Sequence, residues 1–508
     1  MKGILKQPPT WSDARRALVV FLAFAVLWTG SVVPAQGLSL SQEKILGRKL
    51  LNAIRQYYRL IDDGEIVSYV RSVGRRITDQ LQPSHYDYHF YVLDEATPNA
   101  FAIPGGYVFV FRGLMEMMES EGELAAILSH ELAHVQARHI HERMERGKVL
   151  SLATLAGAVA AAFLGAHSDA ASALATGVMA GSTSLELKYT RENEEEADRL
   201  GFRYLCAAGY PPQAMVSVME KLGRGSWRGD SRIPSYLQTH PAVNERVDYL
   251  RQMAERMVET SPPHPMRDPN GDFALVQAAL ISAYGDPQVA GDQLAAWRMK
   301  AGTERRAASH YGMGRLHLRM GRLEPALAEL RQAAALKPQS PLVLSSLGEA
   351  YYRTGRLTEA ENALLGALAL DPESAIAHFR LALVLEEQGK IQQALDHLRQ
   401  ADTLAPLYPE IDYHLGVLFG RINQLGPAHF HLGRYYMARS DRHLALFHYE
   451  KAKELLPAGD ERLEDIEEIL ETLKGRKKSP QAASFEERSK PFFGNPRPLG
   501  PPVRFQRR

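Results

Sequence analysis

The residues best suited to chemistry lie in one short stretch, His130-Glu131-Leu132-Ala133-His134, which matches the pattern H-E-x-x-H. Apolar residues recur around it at helical spacing, so the sequence predicts an amphipathic helix across 124–141. Residues four apart share a helix face, so His130 and His134 can offer two imidazoles to one ion. Glu131 is offset by about 100° and can reach a water on that ion. Hydrolytic zinc chemistry requires this set of two nitrogen ligands, a carboxylate proton acceptor and an open coordination position.

The pentapeptide alone does not establish a metal site. The chain contains 18 histidines, and a chance match is expected in roughly a few of every hundred such chains. The competing interpretation is a surface helix with solvated histidines, and this is how we interpret His139 and His141 nearby. A metal site therefore needs a third ligand elsewhere in the chain.

Three consecutive carboxylates, Glu194, Glu195 and Glu196, precede Asp198 and supply candidates for that ligand. A charge run on a helix is usually a solvated face. However, Glu194 and Asp198 are four residues apart and therefore share a face. Glu194 can complete a His₂Glu zinc site, while Asp198 accepts the remaining N–H of a ligand histidine. Glu195 and Glu196 are expected to point away.

Length, charge and cysteine content narrow the function classes. A chain of 508 residues is expected to form two or three domains. The formal net charge of +1 gives no reason to expect a nucleic-acid partner. Cys206 is the single cysteine, so intramolecular disulfides and a cysteine-based zinc site are excluded.

The first 35 residues have the layout of a secretory signal peptide. Basic residues precede an apolar run at 17–33, and Val33-Pro34-Ala35 follows as a small-residue cleavage site. We expect cleavage after Ala35 and a periplasmic protein. The alternative is an uncleaved anchor helix, because the apolar run is at the lower limit of membrane-spanning length.

The next segments predict a small α+β region. Helices are predicted within 38–81 and a strand at 86–93. A β-hairpin is predicted within 99–114, with its turn at Pro104-Gly105-Gly106 and a strand at 107–111. An exposed edge of that hairpin can align an extended peptide by main-chain hydrogen bonds. Two plain packed strands are the alternative.

Two apolar stretches, 149–164 and 170–180, follow the H-E-x-x-H segment. Both are shorter than a membrane span, which needs about 18 residues or more. We interpret them as small-residue helices of the core, with a lid or membrane-touching role as the alternative.

A period of 34 residues begins after Arg306. Glycine, alanine and proline each recur at this spacing in three successive units: Gly321, Gly355 and Gly389; Ala326, Ala360 and Ala394; Pro338, Pro372 and Pro406. This period is typical of tetratricopeptide repeats, in which two helices form each unit and the stacked units present a concave surface to proteins or peptides. The alternative is an array that only braces the rest of the chain.

The period then slips. Ala445 and Pro457 lie 51 residues beyond Ala394 and Pro406. Because 51 is one and a half repeats, the sequence predicts an extra helix near 411–422. A degenerate first unit is predicted at about 273–302.

Four segments taken together resemble the M48 metallopeptidases. They are Asn99 to Gly106, His130 to His134, Glu194-x-x-x-Asp198, and Thr239-His240-Pro241 with Arg246. The resemblance implies a zinc ion on His130, His134 and Glu194, with Glu131 as the base and Asp198 supporting a ligand. The expected fold class is mainly α: an α+β zincin-type metallopeptidase domain, followed by an α-solenoid of tetratricopeptide helix pairs.

The resemblance also implies that His240 and Arg246 lie at the cleft, where either can stabilise the oxyanion. In exported members of the family, the histidine that matches His240 is thought to cap the zinc and keep the enzyme latent. A helix start with Thr239 as cap and Pro241 in the first turn is a compatible interpretation.

These patterns divide the chain into five predicted parts. They are a signal peptide at 1–35, a metallopeptidase domain at 36–256, a proline-rich linker at 257–272, the tetratricopeptide solenoid at 273–475, and a basic, proline-rich disordered tail at 476–508.

We therefore expect an exported zinc-dependent endopeptidase that hydrolyses peptide bonds in misfolded or stalled envelope proteins. Its repeats would bind these clients or the outer-membrane assembly machinery. The alternative function is that of a chaperone or assembly factor for outer-membrane proteins, in which proteolysis is secondary or latent. Polytopic members of the family carry several membrane spans, and no such span is predicted after residue 35.

Overall fold

The computed structural model describes residues 39–81, 85–139, 190–223, 236, 240, 243–260, 272–300, 302–405 and 408–475. The predicted signal peptide, the apolar stretches at 149–164 and 170–180, His141 and the basic tail lie outside these residues. The chain divides into two compact units, one formed by Met1–Ile61 with Tyr69–Pro269 and the other by Asp62–Ser68 with Asn270–Arg508. Among the described helices, none combines the length and the apolar character needed to cross a membrane.

The first unit contains seven described helices and three strands. They are α1 Leu40–Tyr57, α2 Gly64–Thr78, β1 His89–Leu93, β2 Ala100–Ile103, β3 Tyr107–Phe111, α3 Arg112–Met117, α4 Glu121–Gln136, α5 Arg191–Ala207, α6 Gln213–Gly223 and α7 Val243–Thr260. The first turn of α2 groups with the second unit.

The three strands form one mixed sheet in the order β1-β3-β2. The predicted hairpin is confirmed, because β2 pairs antiparallel with β3 and places Phe101 opposite Phe109. β1 pairs in parallel with β3 and begins at His89 rather than at residue 86. Gly105 and Gly106 have φ angles of +88° and +89°, which side chains rarely tolerate and which the tight turn requires.

Every residue of β2 and β3 is buried, so these two strands are covered on both faces. One face and α1 form an apolar cluster of aliphatic and aromatic side chains: Leu50, Leu51, Ile54, Tyr58, Leu93, Phe101, Ile103, Tyr107, Phe109 and Phe111. α4 packs against β2 and β3. The sheet therefore supports, by direct packing, the helix that carries the H-E-x-x-H segment.

The prediction that this helix is amphipathic is wrong. Every residue of α4 from Glu121 to Val135 is buried. The apolar spacing does mark a helix, but the polar residues between are also enclosed because α5, α6 and the sheet pack around the helix. Ser120 caps its start by accepting a hydrogen bond from the backbone N–H of Glu123.

The second unit is an array of consecutive helices. They are α8 Asp272–Tyr284, α9 Pro287–Lys300, α10 Thr303–Arg319, α11 Leu323–Leu336, α12 Pro341–Arg353, α13 Leu357–Leu370, α14 Ala375–Glu387, α15 Ile391–Leu404, α16 Pro409–Arg421, α17 Leu425–Ala438, α18 Arg442–Leu455 and α19 Arg462–Gly475. The expected fold class, a mainly helical protein with a small sheet and an array of paired helices, is confirmed.

The array also accounts for the shift in sequence period. Ala394 lies on α15 and Ala445 on α18, three helices later, and three helices make one and a half repeats. α16 occupies the position of the predicted extra helix, and α8 with α9 occupies that of the degenerate first unit. The predicted linker begins too early, because α7 continues to Thr260 and residues 257–260 are helical.

Glu65 forms a buried charge cluster within the second unit. Its side chain accepts hydrogen bonds from the hydroxyl of Tyr311 at 2.7 Å and from the guanidinium of Arg380 at 2.5 Å, and it pairs with Arg315. Burial alone would raise the pKa of Glu65, but the charges of Arg380 and Arg315 hold that pKa below its ordinary value. The carboxylate and the two arginines thus stabilise one another away from water.

Replacing Glu65 is expected to destabilise the chain in a pH-dependent way. Because the pKa is lower in the folded state, the carboxylate stabilises the fold above its unfolded pKa of about 4.3, and this contribution is lost as pH falls through the folded pKa. Glu65→Gln should reduce the free energy of unfolding by about 3–5 kcal/mol at pH 7, because it leaves two buried arginines uncompensated. Thermal unfolding of the full chain at pH 7 and below pH 4 measures the effect.

Glu359→Gln serves as the control, because Glu359 is an exposed glutamate on α13. Its unfolding should match that of the unmodified chain at both pH values. Equal losses for both variants, or a loss for Glu65→Gln that is as large in acid as at neutral pH, would contradict the role of the buried carboxylate.

Candidate metal centre

Three helices of the first unit bring the predicted site residues together. α4 carries His130, Glu131 and His134, α5 carries Glu194 and Asp198, and α7 carries Arg246. His240 lies shortly before α7 in the chain. The exposed fraction of each of these seven residues is 2% or less.

α5 lies close against α4 because a glycine faces the contact. A Cβ added at Gly201 would lie 3.0 Å from the backbone nitrogen and Cα of His130. Any larger residue would push the two helices apart. Gly201 therefore sets the distance across which Glu194 and the two histidines meet.

Nitrogen and oxygen donors converge at the centre. The Nε2 atoms of His130 and His134 are 3.1 Å apart. The carboxylate oxygens of Glu194 lie 3.6 Å from Nε2 of His130 and 3.4 Å from Nε2 of His134. Nδ1 of His240 lies 2.9 Å from Glu194 Oε1 and 3.4 Å from His130 Nε2. The structure thus brings the carboxylate of Glu194 to within 3.6 Å of both histidine rings.

Glu131 lies beside this cluster rather than in it. Neither of its carboxylate oxygens has a hydrogen-bond partner among the described residues, and Oε1 lies 3.6 Å from Nε2 of His240. Burial raises the pKa of Glu131, while the neighbouring imidazoles of His240 and His130 oppose that rise. A buried carboxylate with a raised pKa and open acceptor positions is suited to taking up a proton.

Asp198 supports His130 from behind. Its Oδ1 lies 2.9 Å from Nδ1 of His130, which leaves Nε2 of that ring facing the centre. Arg246 donates two hydrogen bonds of 2.8 Å to the carboxylate, and the hydroxyl of Tyr249 donates another. Although burial alone would raise the pKa of Asp198, Arg246 and His130 hold it well below its ordinary value.

Arg246 also pairs with Glu194, so one guanidinium joins both carboxylates of α5. Burial would raise the pKa of Glu194, but the neighbouring imidazole of His240 and the guanidinium of Arg246 hold that pKa well below its usual range. Glu194 is therefore ionised at neutral pH, as a metal ligand must be.

His240 is held in place by an aromatic contact. Its ring stacks on Tyr236, with the ring centroids 4.3 Å apart and the planes inclined by 18°. Thr239 and Pro241, the residues of the predicted helix start, lie outside the described residues. Tyr236 and Tyr249 belong to the site, but no pattern in the sequence singled them out.

The interpretation of His139 as a solvated histidine is wrong. The side chain is buried, with 1% of the residue exposed, and its Nδ1 lies 2.9 Å from Nδ1 of His134. Glu196 does not point away entirely either, because one of its oxygens lies 3.3 Å from Nε2 of His139. Glu195 is exposed and pairs with Arg199 on its own helix, as the charge run predicted.

The donor set fits a zinc ion. For bonds of about 2.0–2.1 Å, tetrahedral coordination places neighbouring ligand atoms about 3.3 Å apart, and the atoms of His130, His134, Glu194 and His240 are separated by 2.9–3.6 Å where a contact is recorded. These four residues form one buried group able to hold a metal ion. Two imidazoles with a carboxylate is the ligand set of hydrolytic zinc sites.

A second group of donors lies in the helical array. Asp402, Asp412 and His431 also lie within reach of one ion. There, however, Arg434 donates to both oxygens of Asp402 at 3.0 and 3.1 Å, and its Nε lies 3.3 Å from Asp412. This arrangement is satisfied by a guanidinium, so we interpret it as a charge network between helices.

Family models match both parts of the chain. The model of Peptidase family M48 matches residues 67–254. Two tetratricopeptide repeat models match residues 314–355 and 346–409. The chain therefore contains an M48 peptidase domain followed by tetratricopeptide repeats, as the sequence resemblance implied.

Three named relatives match part of the chain. The Beta-barrel assembly-enhancing protease of Escherichia coli strain K12 is 31% identical over 305 residues, which cover 59% of this chain and 61% of the relative. The protein of the same name from Yersinia pestis is 32% identical over 249 residues, covering 49% and 50%. The Mitochondrial metalloendopeptidase OMA1 of Schizosaccharomyces pombe is 32% identical over 184 residues, covering 36% and 52%. The chain thus spans about three fifths or less of the length of these relatives.

Solved structures resemble part of the chain at low similarity. YrrB, described as a TPR protein with an unusual peptide-binding site, is 17% identical, with a TM-score of 0.28 over 39% of this chain and 96% of its own. PilW, described as a type IV pilus biogenesis factor, is 18% identical, with a TM-score of 0.31 over 43% of this chain and 99% of its own. No functional property follows from a likeness at this level.

Metal analysis of two neighbouring variants tests the ligand set. Glu194→Gln should lower the zinc affinity of the purified chain by at least about tenfold, since loss of a residue that only supports a ligand already costs about 10–100-fold. Glu195→Gln is the matched control on the next residue of α5 and should leave zinc content unchanged, because its side chain is exposed. Zinc lost with Glu195→Gln but retained with Glu194→Gln would overturn the assignment.

Proposed function

We propose that the M48 peptidase domain of this chain is a zinc-dependent endopeptidase that hydrolyses peptide bonds in unfolded or misfolded polypeptides. The observation that carries the proposal is the buried group of His130, His134, Glu194 and His240, with the carboxylate of Glu131 beside it and without a hydrogen-bond partner among the described residues. The M48 match across 67–254 and the relatives named as a protease and as a metalloendopeptidase support the same reaction class.

His130, His134 and Glu194 would hold the zinc ion. Bound zinc lowers the pKa of a coordinated water and polarises a carbonyl group. Glu131 accepts the proton of the attacking water and delivers it to the leaving amine. Its raised pKa and lack of competing donors suit it to both steps.

The remaining site residues hold these groups in position. Asp198 fixes the orientation and tautomer of His130 through the Nδ1 contact. Because the guanidinium of Arg246 is engaged by Asp198 and Glu194, we assign Arg246 to positioning these carboxylates rather than to the oxyanion.

We assign His240 to control of access. A catalytic zinc site needs one open coordination position. Nδ1 of His240 lies within 3.4 Å of donors from both α4 and α5, where it would act as a fourth ligand when zinc is bound. Movement of His240 away from the centre is therefore part of the proposed reaction cycle, which agrees with the latent state that the family resemblance implies.

The substrates we propose are envelope proteins that have misfolded or stalled during assembly, in the periplasm. Support comes from the names of the bacterial relatives, which describe enhancement of β-barrel assembly, and from the signal-like layout of residues 1–35. The tetratricopeptide repeats would bind these clients or components of the assembly machinery.

A second candidate function is that of a chaperone or assembly factor in which cleavage is restricted to failed clients. The feature that favours it is the helical array, which extends across 272–475 and contributes none of the metal-centre residues. Both functions can coexist in one chain, because they depend on different units.

Glu131→Gln separates the two functions. The variant should bind zinc as the unmodified chain does, because Glu131 is not among the grouped donors. Its rate of cleavage of an unfolded test protein should fall by about 10²–10⁴, the usual contribution of a positioned acid–base group. Zinc analysis and a gel-based cleavage assay measure both quantities, with Glu195→Gln as the control that retains activity.

The same variant is then expressed in a bacterial strain that lacks its own β-barrel assembly-enhancing protease and that the unmodified chain rescues. We expect Glu131→Gln to leave stalled barrel proteins uncleared. Undiminished cleavage by the variant would exclude Glu131 as the base. Full rescue without cleavage would show that the main function is that of a chaperone and depends on the repeats.

A further inference from the structure

We propose that His139 is a positioning residue of the metal centre. Its Nδ1 contacts Nδ1 of His134 and orients that ring, while its Nε2 contacts the carboxylate of Glu196. The assignment rests on the proposed zinc centre and concerns the ligand for which the H-E-x-x-H pattern names no supporting partner.

His139 reaches His134 because the helix ends between them. Residues five apart on a continuing helix are separated by about 140° around the axis and do not face each other. α4 ends at Gln136, and Arg138 adopts a left-handed conformation with φ of 56°. The chain therefore turns back, and the rings of His134 and His139 meet with their centroids 5.0 Å apart.

An ion pair stabilises the turn at Arg138. The guanidinium of Arg138 pairs with the buried carboxylate of Glu43 on α1. Glu43 also accepts a hydrogen bond of 2.5 Å from the hydroxyl of Tyr86. A left-handed conformation is unfavourable for a residue with a side chain, so these contacts offset its cost and keep His139 against His134.

The protons of the two rings can be placed by elimination. Nε2 of His134 faces the donors of the metal centre, so as a ligand it must present a lone pair, and its proton resides on Nδ1. His134 therefore donates to Nδ1 of His139 across the 2.9 Å contact. His139 then carries its own proton on Nε2, which faces the carboxylate of Glu196 at 3.3 Å. Every hydrogen-bonding atom in this series has a matching partner.

Both histidine ligands are thus supported through Nδ1, but in different ways. His130 contacts the buried carboxylate of Asp198 directly. Nδ1 of His134 instead contacts His139, whose other nitrogen faces Glu196, and Glu196 is 59% exposed, so solvent screens its charge. The imidazole of His139, which orients the ligand ring, therefore matters more for zinc affinity than the carboxylate at the end of the series.

The test compares three variants of the full chain by zinc competition with a chromogenic chelator and by the visible spectrum of the cobalt-loaded protein. His139→Leu removes the acceptor and should weaken zinc binding by about 10–100-fold. His139→Asn keeps an oxygen acceptor near the position of Nδ1 and should recover most of the affinity and the cobalt spectrum. Glu196→Gln should change affinity by less than about threefold, as expected for an exposed charge.

Unfolding of the metal-free proteins separates positioning from packing. If His139→Leu and His139→Asn unfold alike without metal but differ in zinc affinity, the assignment holds. Equal zinc affinity for His139→Leu and the unmodified chain overturns it, as does an equal loss for both substitutions. An unmodified chain that binds no zinc overturns the proposed function itself, whereas tight binding that His139→Leu leaves unchanged overturns this assignment alone.

Discussion

The metal centre depends on the ion pairs that Arg246 forms with Glu194 and Asp198. The exposed fraction of each carboxylate is 1% or less, and a buried charge without a partner costs several kcal/mol. Arg246 comes from α7, both carboxylates from α5, and Asp198 in turn contacts His130 on α4. The orientation of the first histidine ligand is therefore fixed by a charge pair that forms only when all three helices have packed.

Burial gives this arrangement its chemical character. Because α4 is enclosed on all sides, charges in the centre are not screened by water, and each carboxylate acquires a role from its partners. The guanidinium of Arg246 contacts both Asp198 and Glu194 and helps to keep both carboxylates ionised. Glu131 accepts no hydrogen bond from an arginine among the described residues, and burial raises its pKa. Similar side chains thus become a support, a ligand and a proton carrier.

Local spacing in the sequence predicted much of the fold and part of the site. The i,i+4 pairs on α4 and α5, the glycine turn of the hairpin and the 34-residue period all depend on contacts within one element or one repeat. The positions of Tyr249 and Tyr236 depend on packing between distant segments, and that of His139 on the left-handed conformation of Arg138. No local residue pattern predicts either. The same reason explains why α4 was expected to have a solvated face: periodicity shows where apolar residues lie, but not which polar residues are enclosed.

Anomalous diffraction from crystals of the full chain grown with zinc, recorded above and below the zinc absorption edge, would test the central claim most directly. We predict one zinc peak per chain in the first unit, within about 2.0–2.2 Å of Nε2 of His130, Nε2 of His134 and a carboxylate oxygen of Glu194. A peak held by other residues, or density for the three side chains in these positions with no anomalous peak between them, would contradict it.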